Sequence, residues 1–180
     1  MMGRMLETAL CAAGLKDLAA RALEGKGLDP DDMERVRAAD TLLVSAMADA
    51  VRATHRGDRV RLLDTPVALA EARLLRVDVD PGGGEGITGE EILREVAYAR
   101  LSTPAGWSVG VCLEALGLEL AQTALIFGAD VLWGDLAGRR TLPLLDGPEA
   151  RRAEIAGLVQ RSGREPVWQA APALPLEQHS

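Results

Sequence analysis

Residues 87–135 predict an α/β protein built on a few mainly parallel strands, and three observations carry that prediction. Helical and strand patterns alternate there, in the order helix, strand, helix, strand. The segment WSVGVCL places Val109, Val111 and Leu113 on one face, a period of two. Upstream, Leu75, Val77 and Val79 alternate with Arg76, Asp78 and Asp80 in the same way. Strands separated by helices are the signature of βαβ units.

Each element has its own local cause. The first helical pattern covers residues 5–24, with Leu6, Leu10, Leu15, Leu18, Ala19 and Leu23 on its apolar side. Gly14 weakens it by about 1 kcal/mol relative to Ala, so a break is expected there if anywhere. Asp29 is placed to cap the next helix, with Pro30 at its first position and Leu28 able to staple to Met33. Asp40 either lies inside a long second helix or caps a third one carrying Leu43, Met47, Ala50 and Val51; the break is preferred. Arg59–Leu63 reads as a strand. Asp64, Thr65 and Pro66 turn the chain into the connector VALAEA, and PGGGEG follows the second strand.

Thr88 and Glu91 have the spacing of a capping box, with Ile87 and Ile92 as its hydrophobic staple. Pro104 bars continuation of that helix. The stripe Leu116, Leu120, Ala121, Ala124 and Leu125 makes the next helix, and Gly128 sits where a C-terminal cap is wanted. A short strand at residues 131–133 precedes a last helix near residues 148–162, with Ile155, Leu158 and Val159 inward and Gly163 as its cap. Two prolines in VWQAAPALPLEQHS and few apolar anchors predict a loose tail after Trp168. The expected layout is one α/β domain over residues 1–168, made of a helical lead-in (1–57) and the sheet (58–168), with a flexible tail at 169–180.

Composition bounds the function. A net charge of −7 argues against nucleic acid or an anionic membrane surface as partner. No run approaches the ~20 apolar residues that span a bilayer. Two cysteines without pairing context fit a reducing cytoplasm.

Residues 87–135 also resemble the C-terminal part of the radical-SAM enzymes of the futalosine route to menaquinone (aminofutalosine synthase and dehypoxanthine futalosine cyclase) and of the related deazaflavin-cofactor synthase. The similarity rests on Ala97, Ala99, Arg100 and Leu101, then on Leu116, Gly117, Ala121, Gln122, Ala124, Leu125, Phe127, Gly128, Ala129, Asp130 and Gly134. Val131 stands where that family has a second Asp. Residues 17–60 are similar to the family's helical lead-in, and GLVQRSGREPVWQ to its closing segment. The resemblance implies a partial (β/α) barrel of about four strands whose middle has been lost between Leu63 and the strand RLLRVDVD.

The family holds a four-iron cluster through CxxxCxxC. Cluster iron needs thiolates, and this chain has only Cys11 and Cys112. The resemblance therefore implies descent without radical-SAM chemistry: no catalytic residue, metal ligand or cofactor is assigned. The expected role is a structural or regulatory partner, as a homodimer or with a full-length radical-SAM relative, since a partial barrel leaves sheet edges to be covered.

In (β/α) barrels ligands bind at the C-terminal ends of strands. Those ends offer Asp78, Asp80, Glu114 and Asp135 as candidate ligand-binding residues for a nucleoside-like molecule or a repurposed carboxylate chemistry. Each also has a plain explanation. An alternating strand has one wet face, which accounts for Asp78 and Asp80. Glu114 in a first helical turn is favoured by the helix dipole. Asp130 is explained as a cap at the start of a strand. Cys112 reads as a buried strand thiol rather than a nucleophile, and His55 near a helix C-terminus is explained by the dipole. PGGGEG lacks the lysine and spacing of a phosphate loop and reads as a linker.

Overall fold

A computed structural model of the chain describes residues 3–64, 74–77, 87–136 and 147–169. The lead-in contains α1 (Arg4–Ala12), α2 (Lys16–Leu23), α3 (Pro30–Arg37) and α4 (Thr41–Arg56). The break at Gly14 is real: its φ of 68° separates α1 from α2. Asp29 caps α3 by accepting from Asp32 N–H at 2.9 Å. Asp40 caps α4 by accepting from the N–H groups of Leu42 and Leu43, so the preferred break is the observed one.

The strands are β1 (Arg59–Leu63), β2 (Leu74–Val77), β3 (Ser108–Cys112), β4 (Val131–Trp133) and β5 (Glu165–Gln169). Between them run α5 (Gly89–Ser102), α6 (Leu113–Ile126) and α7 (Gly147–Arg161). All pairings are parallel, in the order β2-β3-β4-β1-β5. The four expected strands are present, and β5 adds a fifth. No strand was expected between the last helix and the tail, and β5 takes in Gln169, the first residue of the expected tail. The connector VALAEA, Asp78, Asp80, PGGGEG and residues 170–180 lie outside the described residues.

Strand alternation decides which face is the core. Val60 and Leu62 of β1, Val109 and Val111 of β3, and Leu132 of β4 belong to one buried cluster with side chains from all seven helices. Ile155, Leu158 and Val159 supply the inward side of α7, as expected. The intervening residues Arg61, Leu63, Ser108, Gly110, Cys112, Val131 and Trp133 therefore face the other way. There Leu63 and Val131 are fully buried and form a second small cluster with Trp133.

A buried charged tie links α4 to the end of the chain. Arg52, fully buried, donates to Asp49 and to the Gly57 carbonyl, and Arg164 just before β5 donates to the same Asp49 carboxylate.

The capping box of α5 forms as the sequence predicts. Glu91 N–H donates to Thr88 Oγ1 at 3.2 Å, and Thr88 N–H donates to Glu91 Oε2 at 2.7 Å. Ile92 is buried while Ile87 is half exposed, so the staple closes on one side only. The Thr88 backbone bond, then its hydroxyl, hold the Glu91 carboxyl below its ordinary range. Thr88→Ala is expected to cost about 1 kcal/mol in chemical denaturation. Because the folded-state pKa is depressed, the Glu91 contribution is present above the ordinary carboxylate range and is lost as pH falls through the folded value. The stability difference between wild type and Glu91→Gln should accordingly shrink toward zero in an acid titration.

Candidate functional site

The C-terminal ends of the strands are where ligand chemistry was expected. Glu114 and Asp135 are brought together there. Asp135 N–H donates to Glu114 Oε1 at 3.0 Å, tying the loop after β4 to the first turn of α6. Gly134 makes the turn feasible through its φ of 135°; a Cβ there would meet Glu114 Cγ only in ordinary contact, at 3.5 Å. Its N–H also donates to the Leu63 carbonyl at 3.1 Å, so the same loop is tied to β1. Glu114 thus holds the loop after β4 against the start of α6. Asp78 and Asp80 lie outside the described residues.

The rule that selected Glu114 and Asp135 also selects Asp64, which directly follows β1. It pairs with Arg152 of α7 at 3.1 Å. Cys112 ends β3, half-buried. Among the described residues, no three His, Cys, Asp or Glu side chains stand close enough to hold a metal ion. No helix among them is long and apolar enough to cross a membrane.

The densest polar cluster is at the opposite, N-terminal ends of the strands. Asp130, 2% exposed, lies between β3 and β4. Its Oδ1 accepts from Val109 N–H at 2.7 Å and from the Arg100 guanidinium, and its Oδ2 accepts from Arg56 Nε at 2.9 Å. Arg100, also 2% exposed, donates to the carbonyls of Gly128 at 2.9 Å and Trp107 at 3.0 Å. Burial pulls its pKa down from the ordinary arginine value, and Asp130 opposes that. These are two of the residues on which the family resemblance rests. Here they fasten α5 to the β3–β4 step.

Ser108 extends the cluster. Its Oγ accepts from Arg56 Nη2 at 2.7 Å and from Arg61 Nη2 at 2.6 Å. Two guanidinium groups therefore bond the carboxylate, and a third, that of Arg61, reaches Ser108 beside it. Sequence patterning marks Arg59 and Arg61 as one polar strand face, but nothing local announces that Arg61 would meet Ser108 across β4.

No protein-family model, curated protein or solved structure matches this chain.

Proposed function

We propose that the chain is a non-catalytic, truncated relative of the futalosine-route radical-SAM enzymes. It acts in the cytoplasm as a structural or regulatory partner, as a homodimer or bound to a full-length member of that family. The observation that carries this reading is the strand order. In an eight-stranded (β/α) barrel the first and last strands are neighbours. A barrel that keeps its first strand and its last three would have those four in the order seen for β2-β3-β4-β1. β5 then occupies the place beside β1 where the second barrel strand would run.

Two further features support it. Glu114, the described acid best placed for chemistry, is engaged by a backbone amide. Among the described residues, the outer strands β2 and β5 are each paired on one side, which suits association through a sheet edge.

Size-exclusion chromatography with light scattering tests this, on the protein alone and mixed with a full-length radical-SAM relative from the same cell. The expected result is a stable dimer or a shared peak. A protein that stays monomeric in both runs refutes the proposal. If that monomer were stabilised by a nucleoside-like compound, small-molecule binding would take its place.

A further inference from the structure

We infer that Arg56, Arg61 and Ser108 form a binding site for a small oxyanion of the phosphate type, at the N-terminal ends of the strands on the sheet face opposite the helix-packed core. The inference is independent of the partner role proposed above. It starts from charge. Both oxygens of Asp130 are taken, one by Val109 N–H and Arg100 and the other by Arg56. Arg61 is left with a neutral hydroxyl as its hydrogen-bonded partner. Among the described residues no carboxylate lies within ion-pair distance of it.

Position makes this costly. Arg61 is half-buried in the middle of β1, between β4 and β5. Its Nε is buried and has no hydrogen-bond acceptor. Burial lowers its pKa below the ordinary arginine value, and the neighbouring Arg56 charge adds to that while Asp130 opposes it. Arginine nonetheless stays protonated in proteins, so the charge is not relieved by losing a proton. A buried charge without a counterion is destabilising, and a Leu or Met would fill the same place more cheaply.

Geometry indicates what relieves it. Arg56 and Arg61 both donate to Ser108 Oγ, which holds two positive groups around one oxygen. With both lone pairs of Ser108 accepting, its proton is left as a donor. Two guanidinium groups held side by side on one hydroxyl present their remaining N–H donors, with the hydroxyl proton, to an anion with several acceptor oxygens. Guanidinium recognises phosphate and carboxylate through paired N–H donors.

Thermal unfolding of the intact chain in sodium phosphate, sodium acetate and sodium chloride, matched for pH and ionic strength, tests the site. Phosphate is expected to raise Tm saturably above chloride, and acetate to do so less; a larger acetate effect would overturn the phosphate assignment. Arg61→Met should abolish the phosphate-specific rise and, in chloride, melt no lower than wild type, because it removes an uncompensated charge. Arg59→Ala, exposed on the same strand, should behave as wild type. If Arg61→Met does not fold, Ser108→Ala carries the test, since it keeps both charges. Calorimetric titration with inorganic phosphate should then show about tenfold weaker binding, in line with a lost hydrogen bond to a charged group. No phosphate-specific effect on wild type, or an undiminished one in the variants that fold, would overturn the inference.

Discussion

Asp130→Ala is expected to lower the unfolding free energy by about 3–5 kcal/mol, the largest single effect foreseen for this chain. Asp130 and Arg100 are each 2% exposed, and they bond directly. Removing the carboxylate leaves Arg100 inside the protein with the carbonyls of Gly128 and Trp107 but no counterion. It also strips the Val109 N–H of its acceptor. For a chain of this length each kcal/mol moves Tm by about 2–4 °C, so a drop near 10 °C is foreseen.

Asp130→Asn keeps an acceptor and loses the charge, and should fall between wild type and Asp130→Ala. The double variant Arg100→Met, Asp130→Leu separates charge from packing. It should recover the part due to the stranded Arg100 charge, because a buried ion pair is worth little against apolar residues of similar volume, while the Val109 N–H and Arg56 still lack their acceptor. If urea denaturation shows less than about 1 kcal/mol lost in Asp130→Ala, the cluster is not what fastens α5 to the sheet.

The elements were legible because their causes are local. Capping residues at Asp29, Asp40 and Thr88 set helix starts that the structure reproduces. Alternation set β2 and β3. What escaped was β5. Its sequence EPVWQ contains Pro166, which removes a donor and argues against a strand, and its burial does not alternate. It is a strand because β1 pairs along its whole length, from Arg59 opposite Glu165 to Leu63 opposite Gln169. Proline is tolerable there because, among the described residues, β5 lies at the sheet edge. α6 was read as one stripe, whereas Gly117 at φ 73° and ψ 171° breaks it after its first turn.

The site was less legible, for a physical reason. Glu114 and Asp135 were found by a positional rule, and the rule placed them correctly at the strand ends. Their relation, a helix carboxylate accepting a backbone amide of the loop after β4, depends on a fold that pairs positions 21 residues apart. Asp130 was read as a cap because a capping role needs only local sequence. Its actual partners, Arg56 and Arg100, come from two helices, 74 and 30 residues away. Charge balance in a core is a tertiary property, so neither the latch nor the surplus charge on Arg61 shows in local patterning.

Gly128→Ala should be the second severe substitution, costing about 2–5 kcal/mol. The sequence places Gly128 as a helix cap, which asks only for a left-handed residue. The structure asks for more. Gly128 has φ 102°, and a Cβ there would lie 2.9 Å from Arg100 Cβ, 3.0 Å from its Cγ and 3.3 Å from Ala48 Cβ. Arg100 cannot swing aside, because its head is held by Asp130 and by two carbonyls, one of them Gly128's own. Ala48, fully buried on α4, closes the other side.

Gly163→Ala provides the control. It shares positive φ, at 73°, but a Cβ there meets nothing within 4 Å. Its cost should be the backbone penalty alone, about 1–2 kcal/mol. The difference between the two variants in denaturant midpoint isolates the contact with Arg100. Equal costs would mean that the helix end yields and the Arg100 stem does not constrain it. In the variant Arg100→Gly, Gly128→Ala both the β- and γ-carbon contacts are gone, and the two substitutions should prove markedly non-additive.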